Sequence, residues 1–109
     1  MAKKAKKSKA TAQDADLILK LYDLRREAVL RKARDFMAAQ FWPQNYGEFK
    51  AVISAFGTEQ NAWLRQVWTY WDMACAIVLS GAINEDLFCK ANGEPFFLYA
   101  KFKPYIEQT

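Results

Sequence analysis

The chain has 109 residues, of which 52% are apolar and 16% aromatic, enough for one domain with its own core and too many rings for a disordered chain. Its net charge of +4 is uneven: residues 1–10 hold five lysines and no acid, leaving eleven basic against twelve acidic side chains over 11–109. With no histidine anywhere, the commonest general base and metal ligand is missing, and histidine-based catalytic arrangements are excluded within one chain.

The opening MAKKAKKSKA reads as a solvated, disordered tail over residues 1–13. Lys3, Lys4, Lys6, Lys7 and Lys9 offer weak, salt-dependent phosphate contacts, so a nucleic-acid-associated role through the tail stands as an alternative function. The lysines are followed by Asp14 and Asp16 instead of an apolar run, unlike a secretory signal. No apolar segment is of membrane-spanning length. Cys75 and Cys89 stand apart with no CxxC, which suits a reducing, cytoplasmic setting and two small core residues.

A single domain is expected over 14–107. Thr11-x-x-Asp14 predicts the start of a long first helix near Asp14, running to about Phe41 because Pro43 disfavours helical geometry at Trp42. One face carries Leu17, Ile18, Leu21, Leu24, Val29 and Phe36, with Arg25 and Lys32 projecting inside it. A second stripe of Leu19, Leu30 and Met37 has no evident partner within the chain and is the expected interface for self-association, most simply as a homodimer.

After the turn-rich PQNYG, a short helix is expected over Glu48–Phe56, with Gly57 as its terminator. Thr58 caps a central third helix that ends at Ser80, with Gly81 beyond it. Its apolar face is wide, and its small residues Ala62, Thr69 and Ala76 predict a close-packed neighbour. Asn84 caps a short fourth helix, and Pro95 opens a terminal helix through FFLYAKFKPYI, with a bend or break expected at Pro104. No period-2 pattern extends beyond a few residues. The expected fold is therefore all-α, a compact bundle of about five helices.

Asp72 is the one carboxylate in RQVWTYWDMACAIVLSG. The inward Arg25 needs an anion, because an unpaired buried charge is costly. The expectation is a structural ion pair of Asp72 with Arg25 or, failing that, Arg65. Glu85, Asp86 and Glu94 form the nearest acidic cluster; Glu85 and Asp86 sit in a helix first turn, and the cluster is read as helix capping and not as metal ligands. There is no phosphate-binding glycine loop, and no cofactor or catalytic residue is expected. The rings favour a non-enzymatic interaction or structural module, with an aromatic small-molecule pocket near Asp72 as a further alternative.

The ordered set LILKLYDLRREAVLRKARDF, FWP, NAWLRQVWTYWDMACAIVLSGAINEDLF and NGEPFFLYAKFKPYI resembles an uncharacterised family of small helical bacterial proteins. The likeness spans about residues 14–107. It implies an all-helical fold and an acid at position 72, with no activity or cofactor to carry over.

Overall fold

The computed structural model describes residues 9–108 and is all-helical over them. There are six helices where about five were expected: α1 Ala12–Arg25, α2 Ala28–Asp35, α3 Tyr46–Ile53, α4 Glu59–Leu79, α5 Glu85–Ala91 and α6 Glu94–Ile106. A π-turn over Phe36–Gln40 continues α2.

The expected long first helix is broken. Arg26 closes α1, and Glu27, with extended backbone, caps α2 by accepting the N–H groups of Val29 and Leu30 at 3.1 and 3.0 Å. The break re-aims everything after it. Ile18 and Leu21 of α1 are buried, but Leu24 and Val29 face solvent. The core face of α2 is instead Leu30, Ala33 and Met37, with Ala33 and Met37 fully covered. The proposed interface stripe is thereby corrected: Met37 is core, Leu30 is half-buried and only Leu19 is exposed. Phase carried across an unbroken helix put Leu30 and Met37 on the wrong side.

The start signal works as read, two residues early. Thr11 and Asp14 form a reciprocal capping box, and the helix begins at Ala12. The second Asp14 oxygen accepts the N–H of Asn84 at 2.8 Å, so one carboxylate serves the starts of both α1 and α5.

At the other end of α2 the π-turn closes with the Phe41 N–H on the Phe36 carbonyl at 2.8 Å. The extra residue brings the two rings into a stack, centroids 5.3 Å apart. Helix ends leave carbonyls unpaired, and here side chains cover two of them. Lys101 donates to Met37 O at 2.7 Å, and Trp42 Nε1 to Ala39 O at 3.1 Å. The Lys101 ammonium also sits 3.7 Å from the Trp42 ring centroid, a cation–π contact. Burial lowers the Lys101 pKa.

The short α3 begins and ends earlier than expected. Asn45 caps it through the Glu48 N–H, and the Ser54 hydroxyl donates back to Lys50 O. Phe56, expected inside the helix, falls beyond it and is 75% exposed. Gly57 and Gly81 have φ of +96° and +92°, where a side chain would be strained. After Gly81 the paired bonds Gly81 N–H to Val78 O and Ala82 N–H to Ile77 O complete a Schellman ending of α4.

The core lies around α4, which gives Leu64, Val67, Tyr70, Trp71, Ala74 and Val78 to it. Phe102 of α6 is fully buried among Phe41, Phe49 and Trp68. Truncating such a ring to alanine costs about 3–5 kcal/mol. Pro104 does not break α6, which continues to Ile106. The shortest dimension of the molecule is 20 Å, room for about two layers of helices. One side of α4 therefore lies on the surface.

Candidate functional site

The exposed side of α4 is not the close-packed contact its small residues predicted. Arg65, Gln66, Thr69, Asp72, Met73, Ala76, Leu79 and Ser80 are all exposed. At 100° per residue they form one continuous face. Ala62, Thr69 and Ala76 run along its middle, Arg65 and Asp72 along one edge, Gln66 and Met73 along the other. Among the described residues no helix covers it, because α2, α3 and α5 pack on the opposite side, where Ala33, Phe49 and Phe88 meet the buried row of α4.

A groove of about 470 Å³ runs between α4 and α6 on the Asp72 edge. Buried Val67, Trp71 and Leu98 make its floor, Trp68, Cys75 and Pro95 its walls, and exposed Asp72, Phe96 and Tyr99 its rim. Asp72 is its one carboxylate. Burial pushes the Cys75 thiol up from its ordinary value, and nearby Asp72 and Cys89 act in the same direction. That wall is therefore a protonated thiol at neutral pH.

Asp72 does not meet Arg25. It has no ion pair among the described residues, and the anion for Arg25 is Glu94. Glu94 Oε1 accepts from Arg34 Nε at 2.8 Å and lies 4.0 Å from an Arg25 terminal nitrogen. The three side chains are 13%, 28% and 14% exposed. The Arg25 guanidinium lies over Trp71, 5.6 Å from the ring centroid, and over Tyr22 at 5.0 Å. Glu94 Oε2, Arg25 Nε and Trp71 Nε1 are buried with no hydrogen-bond partner among the described residues.

Arg25 does meet an anion, as its inward position required, but the acid is Glu94 and not Asp72. In the sequence Glu94 groups with Glu85 and Asp86 as a capping acid, and its neighbour Pro95 gives no hint that it faces inward. Lys32, expected to project inward, is exposed. The Tyr70 hydroxyl, beside this cluster, donates to Leu21 O. Its pKa is raised by burial, with Glu94 adding to the rise and Arg25 and Arg34 opposing it.

Arg65 does not meet Asp72 either. Its Nε donates to Asn61 Oδ1 at 2.9 Å. Asn61 is fully buried and its amide donates to the carbonyls of Val52 and Ile53 at 2.9 and 3.1 Å. It ties the end of α3 to the start of α4, a role its position near an N-cap concealed.

Among the described residues no three His, Cys, Asp or Glu side chains converge as metal ligands, and no helix is long and apolar enough to cross a membrane. Lys9 is exposed, while Lys3, Lys4, Lys6 and Lys7 lie outside the described residues.

Fold and surface together define a small all-helical domain with a bare helix face and an aromatic groove beside it. The chain belongs to a family described as a domain of unknown function, DUF4760, whose model matches residues 10–109. No curated protein and no solved structure matches it.

Proposed function

We propose that this chain is a protein-interaction module that assembles with copies of itself in a bacterial cytoplasm. The observation that supports it is apolar surface left uncovered on and beside α4. Leu79 is 81% exposed, and Met73, Phe96 and Tyr99 are exposed with it. Single exposed apolar side chains are ordinary, whereas grouped ones mark contact surfaces. Both cysteines are free thiols, which suits a reducing compartment. Light scattering across micromolar concentrations tests the reading. A species of twice 12.6 kDa supports it, and a 12.6 kDa species throughout refutes it.

A second reading has the groove in its favour. Its volume of about 470 Å³ lies within the range of small-molecule sites. Trp68, Trp71, Phe96, Tyr99 and the unpaired Asp72 carboxylate suit an organic cation with an apolar body. Titration with benzyltrimethylammonium, followed by tryptophan fluorescence, decides it. Saturable quenching that is weakened in Tyr99→Ala and Asp72→Asn supports ligand binding. Quenching that does not saturate, or is unchanged in both variants, removes it.

A further inference from the structure

We infer that the second copy docks on the bare face of α4, antiparallel, across a two-fold axis at Thr69, with Arg65 of each chain paired to Asp72 of the other; this rests on the self-association proposed above. The charges carry the inference. Arg65 and Asp72 are exposed, of opposite sign, and on the same edge of one face. Asp72 has no ion pair among the described residues. Arg65 makes one bond through Nε to Asn61, leaving its terminal nitrogens available.

Symmetry then selects the arrangement. In a parallel helix pair, the two-fold lies along the helices and each edge of the face meets the opposite edge. The Arg65–Asp72 edge would then meet Gln66 and Met73. In an antiparallel pair, the axis crosses the helices and each edge meets itself. An arginine then faces an aspartate if the axis falls midway between them. That midpoint lies between Trp68 and Thr69, and on the face itself the residue there is Thr69.

The same axis satisfies the other positions. The midpoint of Gln66 and Met73 lies between Thr69 and Tyr70, so the second edge puts an amide beside a thioether, with no like charges opposed. Ala62 and Ala76 are equally distant from Thr69, so each alanine meets the other's counterpart across the middle. The Thr69 hydroxyl is turned back onto its own helix, donating to Arg65 O at 2.7 Å. It presents a methyl group and no unpaired donor at the axis. Isologous contact of this kind repeats every favourable pair twice, and edge charges set register and orientation as they do in antiparallel coils.

Charge reversal tests the pairing. Asp72→Arg places two arginines opposite each other at both ends of the interface. The dimer dissociation constant should rise about tenfold or more, as like charges across an interface oppose association. Arg65→Asp should do the same, and the double variant Arg65→Asp, Asp72→Arg should return to within about threefold of wild type, since the pairs are re-made with signs exchanged. Far-UV circular dichroism checks folding, because Arg65→Asp also loses the bond to Asn61; Asp72→Arg does not.

A cross-link gives an independent readout. Thr69→Cys in a Cys75→Ala, Cys89→Ser background, treated with oxidised glutathione, should form a disulfide-linked dimer, whereas Glu85→Cys should not. A wild-type chain that is monomeric throughout overturns both self-association and this interface. A wild-type dimer unaffected by Asp72→Arg, or with no Thr69→Cys cross-link, overturns this interface alone and leaves self-association standing on another surface.

Discussion

Replacing Glu94 with glutamine keeps the shape of the side chain and removes one charge. Two guanidinium groups, Arg25 and Arg34, then share a largely dry pocket with no anion. Breaking one side of a buried pair costs about 3–5 kcal/mol. Arg34 is 28% exposed and regains some hydration, so the expected loss is at the lower end, about 3 kcal/mol. In a domain of this size 1 kcal/mol corresponds to roughly 4 °C or more in Tm, giving a fall of at least about 12 °C. The assay is thermal unfolding followed by circular dichroism, at a concentration where the wild type is a single species. The internal control is Asp72→Asn in the monomer, where an exposed and unpaired carboxylate should change stability by no more than about 0.5 kcal/mol. A Glu94→Gln protein melting within about 4 °C of wild type would show that water already reaches the cluster, and the reasoning would fail.

Three further outcomes follow from particular contacts. Asp14 is held below its usual carboxylate pKa by backbone N–H groups of Thr11 and Asn84, so its contribution is present above about 3.8 and lost as pH falls through the lower folded-state value; Asp14→Asn should flatten that part of an acid-unfolding curve. Gly81→Ala puts a side chain at φ +92° in the ending of α4 and should cost about 1–2 kcal/mol in urea unfolding. Asn61→Ala removes the amide donor from the Ile53 carbonyl, while Val52 O keeps the Ala55 N–H at 3.3 Å, and should cost about 1–3 kcal/mol for the one acceptor left unpaired; hydrogen exchange should show the α3–α4 junction opening first.

What could be read in the chain was local. Thr11, Asn84, Thr58 and Gly81 act where their side-chain chemistry or backbone freedom required. The apolar row of α4 faces the core as its spacing indicated. Failure began where a choice depended on distant residues. Nothing in DLRREAVL marks a break more strongly than continuation, since glutamate is an uncommon cap. The break is held because Arg25 and Arg34 both turn towards Glu94, about sixty to seventy residues away. The partner of Arg25 was misassigned for the same reason: charge demand is visible in a sequence, but the identity of the nearest acid depends on tertiary geometry. Small residues on α4 indicated room for a close neighbour, without telling whether it belonged to the same chain.

The long polar ties have a consequence for the order of assembly. Asp14 reaches Asn84, Arg34 reaches Glu94, Met37 O is met by Lys101, and Pro43 O by Tyr105. Each joins the first 43 residues to a segment made after residue 83. A nascent chain stopped at Ala82 holds none of them, although α4 and its Schellman ending are already complete. The two N-terminal helices can form early through local bonds, but they are secured only when the last quarter of the chain emerges from synthesis, and the loop closures that fasten them come last. Until that moment the fully buried side chains of Ala33 and Met37 lack part of their cover, so the half-made protein is the species most in need of protection from aggregation.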